Sequence, residues 1–168
     1  MKKIIAIILS CLMLTACSSA EVEQELPNGY YKYDNCTLII LDEINMLSDT
    51  EESTIVKQLS PYCEKLNCDV MLRIISVNEE PYLISSDNSA QYFPDDTQNS
   101  LTVTYNALEK TLKYKTKGDK MDDWLPRVDA LNMLNAGDQH FKTRNYPRAL
   151  GATLEYGLKI IIKNGGSI

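Results

Sequence analysis

The chain has 168 residues, enough for one ordinary domain that buries about two thirds of its unfolded surface without metals or disulfides. It carries 17 basic and 23 acidic residues, which give a net charge of −6. An acidic surface repels the phosphates of nucleic acids, so we expect no nucleic-acid partner.

Residues 1–16 have the pattern of an export signal. Lys2 and Lys3 precede a short apolar run at residues 4–9 that is too short for a comfortable membrane span. The next feature, Leu14-Thr15-Ala16-Cys17, resembles the lipobox of bacterial lipoproteins, in which cleavage leaves the cysteine as a lipid-bearing N-terminus. The resemblance implies a cell-envelope protein anchored outside the cytoplasm by lipid on Cys17. An uncleaved N-terminal anchor helix is the alternative, and it predicts the same membrane location.

Residues 17–35 are polar, acidic and rich in tyrosine, which is typical of a tether between the lipid and a folded domain. Beyond the tether three cysteines remain, namely Cys36, Cys63 and Cys68. Three thiols cannot all pair, and no second cysteine pair or histidine cluster accompanies them as a zinc site requires. They are therefore buried or free thiols, or two of them form one disulfide.

The first strand and helix of the domain follow directly. Residues 36–41 form a short apolar run consistent with a buried strand. Ser48 and Glu51 then match the capping-box pattern at the start of an amphipathic helix. Pro61 predicts a kink or break in that helix, with Ser60 as the cap of a second short segment. The core-facing side of the helix consists of Ile55, Leu59 and Leu66.

The middle of the chain predicts more β-structure. Residues 70–77 are apolar on nearly both faces, as in a strand that is covered from two sides. Residues 81–100 form a polar stretch, and such a long loop in a compact domain is functional or mobile. Alternating apolar residues at 101–105 and 112–114 then predict a hairpin of two half-exposed strands.

The C-terminal part predicts helices. One apolar face is formed by Val128, Leu131, Leu134 and Phe141. Asn145 is placed to cap the last helix, which Gly165 and Gly166 end. The buried stripe of that helix is Tyr146, Leu150, Leu154, Leu158, Ile161 and Ile162.

This order of elements predicts an α/β domain over residues 36–164, a small layered sandwich with a central β-sheet and helices on both faces. The residues also resemble a known family. "LDEINMLSDTEESTIVKQL" and "CDVMLRIISV" resemble the opening of the TPM domain, "SLTVTYNALEKTLKYKTKGD" its hairpin, and "MLNAGDQHFKTRNYPRALGATLEYGLKII" its closing helices. The resemblance implies an envelope or thylakoid-facing domain that accompanies membrane complexes. For some plant relatives it also implies acid phosphatase activity and divalent-cation binding.

Carboxylates carried over from that resemblance are the candidate metal ligands. Asp42 matches the acidic position before the first helix, and Asp122 or Asp123 the position after the hairpin. Together with Glu43 and Asp119 they offer the oxygens that Ca²⁺ or Mg²⁺ requires, provided that they converge at one edge of the sheet. Helix caps and solvated surface acids are the alternative interpretation.

The sequence contains no motif of a known catalytic nucleophile. His140 is the only histidine and has no partner in the pattern, which favours a helix-surface residue. Trp124 beside the two aspartates is interpreted as core, with the floor of a ligand site as the alternative.

Two functions therefore compete. We expect a non-enzymatic accessory or binding module for membrane or envelope proteins, because the chain has an anchor and a compact domain but no catalytic motif. The alternative is a weak acid phosphatase assisted by a divalent cation. A tetratricopeptide-like interaction protein is a minor alternative, because "AGDQHFKTRNYPRALGATLEYGL" is a single motif without the second copy that stacking requires.

Overall fold

The computed structural model describes residues 29–78 and 99–168. Its strands are β1 (Tyr30–Lys32), β2 (Thr37–Asp42), β3 (Asp69–Ile75), β4 (Ser100–Asn106) and β5 (Thr111–Lys117). Its helices are α1 (Asp49–Cys63), α2 (Met121–Trp124), α3 (Arg127–Asn135), α4 (Asp138–Lys142) and α5 (Tyr146–Lys163).

The five strands form one mixed sheet in the order β1-β2-β3-β4-β5. Strands β2, β3 and β4 are parallel, whereas β1 and β5 run antiparallel at the two edges. The parallel pairs need long crossovers, and α1 provides the one between β2 and β3. The predicted α/β layered sandwich is confirmed.

Both faces of the central strands are buried. On the face that packs against α1 and α5, Leu38, Ile40, Leu72 and Val103 are at most 4% exposed. On the opposite face Ile39 and Met71 are buried as well, as the predicted cover on both faces requires. Strand β4 is buried along its whole length, which corrects the prediction of a half-exposed strand.

Helix α1 starts as the sequence predicts and ends differently. The Ser48 hydroxyl accepts from the Glu51 backbone N–H, and the Glu51 carboxylate accepts from that of Ser48. The predicted break is wrong, because the helix continues through Pro61 to Cys63. A proline so close to the end removes only one hydrogen bond of the last turn, which the packed face of the helix tolerates. That face buries Ile55 and Leu59 completely.

Helix α5 is the centre of the helical layer and contacts α1, α2, α3 and α4. The Asn145 side chain accepts from the Arg148 backbone N–H at its start, as predicted. Its buried stripe is Leu150, Leu154, Leu158 and Ile161. Gly151 lies against the amide end of the Gln58 side chain, so a larger residue there would displace that side chain. The helix ends at Gly165, whose φ of +105° is the left-handed conformation that stops a helix.

The domain extends further than residues 36–164. Strand β1 pairs with β2 through Tyr30 and Ile39, so part of the predicted tether belongs to the sheet. At the other end the backbone N–H of Ile168 donates to the Lys65 carbonyl, 3.0 Å away. Neither contact has a local sequence pattern, because each depends on a segment far away in the chain.

The predicted apolar face of α3 is also corrected. Val128 and Leu131 are 70% and 50% exposed, whereas Ala130 and Met133 are buried. The helix is rotated so that its smaller and more flexible side chains meet α5. Within residues 29–78 and 99–168, no helix is long and apolar enough to cross a membrane.

The three thiols are buried and free. Cys36 precedes β2, Cys68 precedes β3, and Cys63 is the last residue of α1. The hydrogen bond between Cys36 and Cys63, together with burial, raises the pKa of the Cys36 thiol above its usual range, and burial raises the pKa of Cys68 to about 12. We conclude that the Cys36 and Cys68 thiols stay protonated and that all three cysteines belong to the core.

Candidate functional site

Asp42 and Glu43, the acidic pair at the end of β2, both form hydrogen bonds within the fold. The Asp42 carboxylate accepts from the backbone N–H groups of Ile44 and Leu47, at 3.3 and 2.7 Å. It therefore closes the turn that leads into α1. Glu43 accepts from the Arg73 guanidinium at 2.5 Å, on the side of the sheet where Arg73 is only 4% exposed. A buried guanidinium requires such a partner.

The second acidic pair lies at the other end of the sheet. Strand β5 ends at Lys117, which pairs with Ser100, and Ser100 in turn pairs with Asp69 at the start of β3. Asp42 instead pairs with Ile74 near the end of β3. Five residues of extended strand separate these two levels, which is about 17 Å.

Asp119, Asp122 and Asp123 follow β5 directly and are exposed. The prediction that these acids converge with Asp42 and Glu43 at one edge is therefore wrong. In the part of the chain that the structure describes, no group of three His, Cys, Asp or Glu side chains could hold a metal ion. Cation binding at either pair separately stays a prediction.

The other two candidate residues from the sequence are Trp124 and His140, and both are hydrogen-bonded within the fold through their backbone carbonyls. Trp124 is 9% exposed and belongs to the main core, and its carbonyl accepts from the Asn164 side chain at 3.1 Å. His140 is half-buried in α4, and its carbonyl accepts from the Asn145 backbone N–H. Cys17 lies outside the described residues, as does most of the predicted loop at 81–100.

A pocket of about 400 Å³ opens at the carboxyl end of β4, the edge where α/β sheets usually bind ligands. The paired residues Tyr105 and Leu112 of β4 and β5 form one side of it. Leu134 of α3, Phe141 of α4 and Tyr146 of α5 form the other side. Five elements thus meet around one cavity of the size that small ligands occupy.

Three aromatic rings form the apolar wall of this pocket. The rings of Tyr105 and Phe141 are stacked, with centroids 5.2 Å apart and planes 23° apart. Tyr146 is tilted against Tyr105 at 5.9 Å and lies edge-on to Phe141 at 6.2 Å. Such a cluster offers aromatic surface and hydroxyl groups to a ligand.

The hydroxyl groups of the wall interact with each other. Burial, together with the neighbouring Tyr146 hydroxyl, raises the pKa of Tyr105. Its phenol is therefore protonated at neutral pH and acts as a neutral hydrogen-bonding group. A protonated phenol is suited to binding and is a poor nucleophile.

Cations surround the mouth of the pocket. Lys110, Lys142 and Arg144 line it, against the single carboxylate of Asp138. None of these three cations forms an ion pair within the described part of the chain. Their charges are thus available in a protein whose net charge is −6. The pocket is a candidate site for an anion with an apolar part.

Two of the cations occupy unusual backbone positions. Lys110 and Arg144 have φ angles of +55° and +59°, in the left-handed region where glycine or asparagine is usual. The Arg144 backbone N–H donates to the Phe141 carbonyl at 3.0 Å, so the turn after α4 carries both the aromatic wall and a rim cation. Long cationic side chains at such positions cost about 1 kcal/mol or more each, which is typical of functional sites.

This site was missed at the sequence level. Tyr146 and Phe141 were assigned to the hydrophobic faces of helices, and the rim cations were not singled out. The signal was present in the run Phe141-Lys142-Thr143-Arg144-Asn145-Tyr146, where two aromatic residues flank two cations. Tyr105 and Lys110 join this run only through the pairing of β4 and β5 and the packing of α4 against them.

Two solved structures are similar to this chain. The NMR structure of the BA42 protein from the psychrophilic bacterium Bizionia argentinensis is 15% identical, with a TM-score of 0.61, over 73% of this chain and 86% of that one. The N-terminal domain of a protein from P. gingivalis is 15% identical, with a TM-score of 0.52, over 74% of this chain and 79% of that one. At this identity the similarity shows a shared fold and nothing about function.

The sequence comparisons gave no relative: no protein-family model matches the chain, and no curated protein matches it.

Proposed function

We propose that this protein is a lipid-anchored accessory module of the cell envelope, with a TPM-like domain that binds another envelope or membrane protein. The observation that supports binding is the pocket between β4, β5 and the C-terminal helices, which combines an aromatic wall with cations that form no ion pair among the described residues. A preformed pocket with a few polar groups at its rim is the usual form of a recognition site.

The chemistry of the wall favours binding over catalysis. Its hydroxyl groups belong to Tyr105 and Tyr146, and the raised pKa of Tyr105 disfavours a phenolate at neutral pH. The acids that would support a phosphatase are elsewhere. Asp42 and Glu43 are occupied by backbone N–H groups and by Arg73.

The anchor is the part of the proposal that depends on the N-terminal sequence. Lipid on Cys17 would hold the domain near the membrane surface, where its partners would be found. Replacing Cys17 by Ser should release the protein into the soluble fraction and remove a metabolic lipid label. Membrane retention together with an unchanged label would contradict the lipid anchor.

Binding is tested by site-specific photo-crosslinking in intact cells. A benzophenone amino acid at Leu131 or Lys142, both on the pocket side, should give a discrete crosslinked envelope protein. The same group at Thr54 or Lys57, which are exposed on α1, serves as the matched control. Equal crosslinking at all four positions, or none at the pocket side, would contradict a binding function for this surface.

The phosphatase alternative has a direct test. The full chain is assayed with p-nitrophenyl phosphate in the presence of Ca²⁺, Mg²⁺ or Mn²⁺, and we expect no metal-dependent turnover. Turnover that Asp42→Asn or Asp123→Asn abolishes would replace the accessory function by a cation-assisted phosphatase. Because the two aspartates lie at opposite ends of the sheet, the variants also show which end holds the metal.

A further inference from the structure

An apolar strip continues from the pocket over the surface of α3. Leu134 lines the pocket, while Leu131 and Val128 are 50% and 70% exposed. Residues three apart on a helix lie on one face, so the three side chains form a continuous row. The row is about 9 Å long, which corresponds to about three residues of an extended chain.

The charge next to this strip is positive, although the chain as a whole is acidic. Lys110, Lys142 and Arg144 are exposed at the pocket mouth without an ion pair among the described residues. Among the described residues that line the pocket, Asp138 is the only acid. Such a local excess of cations attracts a carboxylate and selects against basic partners.

We propose that the pocket and the α3 strip together bind a peptide segment of the partner protein in which an acidic residue is flanked by aromatic or aliphatic residues. This rests on the proposed binding function and names the chemistry of the partner. The carboxylate lies among the three cations, and one flanking side chain packs against Tyr105, Phe141 and Tyr146. The next apolar residues of the segment cover Leu131 and Val128.

The strip is the reason to choose a peptide over a small aromatic acid. A small molecule that fills a 400 Å³ pocket leaves Val128 and Leu131 in water, whereas an extended segment buries them in the same contact. Burial of apolar surface then adds to the charge attraction. A small acid would depend on the pocket alone.

The test uses the full chain in detergent micelles and fluorescence anisotropy at low ionic strength. The probe is a labelled peptide with the central sequence Leu-Asp-Phe-Leu, and its counterpart has Asn in place of Asp. A third arm is competition by 3-phenylpropionate, a small aromatic acid. The protein variants are K142E/R144E, Leu131→Asn and, as a single charge reversal on α1 away from the pocket, Lys57→Glu.

We expect the acidic peptide to bind at least tenfold more tightly than its Asn counterpart. The K142E/R144E variant should bind the acidic peptide at least tenfold more weakly than the parent protein does. Leu131→Asn should weaken peptide binding and leave any binding of 3-phenylpropionate unchanged, while Lys57→Glu changes neither. Added salt should weaken binding of the peptide, because the charges at the pocket rim are exposed and therefore screened.

Three results would overturn the inference. The first is equal affinity for both peptides, the second is no difference between K142E/R144E and Lys57→Glu, and the third is 3-phenylpropionate binding without peptide binding. If the peptide does not bind but crosslinking at Leu131 and Lys142 still captures a partner, the binding function stands and only the proposed chemistry of the partner segment is wrong. If both fail, the proposed function fails too.

Discussion

Two charged regions lie at the same end of the sheet, and their charges are used differently. In the turn after β2, Asp42 and Glu43 are bonded to backbone N–H groups and to Arg73. Around the pocket at the end of β4, Lys110, Lys142 and Arg144 have no ion pair in the described residues. Asp42 and Tyr105 are both level with Ile74, so they are separated only by the width of β3.

The difference teaches how to choose a candidate site in this protein. A charged side chain whose hydrogen bonds are satisfied within the fold contributes to stability, and its removal leaves a buried partner unpaired. A cation that is exposed beside a preformed cavity contributes little to stability and is available to a ligand. The acidic pair after β2 is therefore bonded within the fold, while the less conspicuous cations surround the candidate site.

The largest effect should come from breaking the helical layer on which both regions rest. Leu59 is fully buried between α1 and the sheet, so Leu59→Asp places an unpaired charge in the core. We expect the free energy of unfolding to fall by about 3 kcal/mol or more, measured by urea denaturation. Leu59→Met is the control that keeps the volume. An aspartate variant as stable as the parent would mean that this face of α1 is not buried.

A smaller effect should follow from Asp42→Ala, which breaks only the region after β2. The backbone N–H groups of Ile44 and Leu47 lose their acceptor, which should cost about 1–3 kcal/mol. Asp42→Asn keeps an acceptor oxygen and should cost less. Peptide binding at the pocket should be unchanged in both variants. Loss of binding without loss of stability would assign Asp42 to the site instead.

Glu155 is a third acid, after Asp42 and Glu43, whose carboxylate is hydrogen-bonded within the fold. Lys159, together with Gln58 and Tyr62, lowers the pKa of its carboxyl from 4.5 to about 2. Because the folded pKa is the lower one, this carboxylate stabilises the fold above pH 4.5, and that contribution is lost as the pH falls towards 2. The parent should therefore lose more stability over this range than Glu155→Gln, as measured by urea denaturation at several pH values. Parallel pH profiles would contradict the bonded role of Glu155.

The smallest effect on stability should come from the pocket rim. Reversing the charges of Lys142 and Arg144 should change the free energy of unfolding by no more than about 0.5 kcal/mol, because both side chains are exposed and form no ion pair within residues 29–78 and 99–168. The same variant should lose peptide binding. A destabilisation as large as that of Asp42→Ala would show that these cations are structural, and it would remove the contrast between the two regions.

Much of the fold was predictable because its signals are local. The capping box of Ser48 and Glu51 and the Asn145 cap depend on hydrogen bonds between residues three apart. The hairpin of β4 and β5 and the buried stripe of α5 depend on the period of apolar residues. The errors fell where several interactions compete. The packing of α1 outweighed the tendency of Pro61 to break the helix. In α3, the burial of Ala130 and Met133 outweighed the burial predicted for the larger apolar side chains.

The sequence by itself determined α1, the strands from β2 to β5, the helical C-terminal part and the α/β class, since these depend on residues within a few positions of one another. Only the tertiary structure decided which end of the sheet each acidic pair occupies, because that depends on the parallel and antiparallel pairing of distant strands. It also decided that Glu43 is bonded to Arg73, and that Tyr105, Phe141 and Tyr146 meet beneath three cations. These groups come from segments far apart in the chain, and no local pattern records which of them will be brought together.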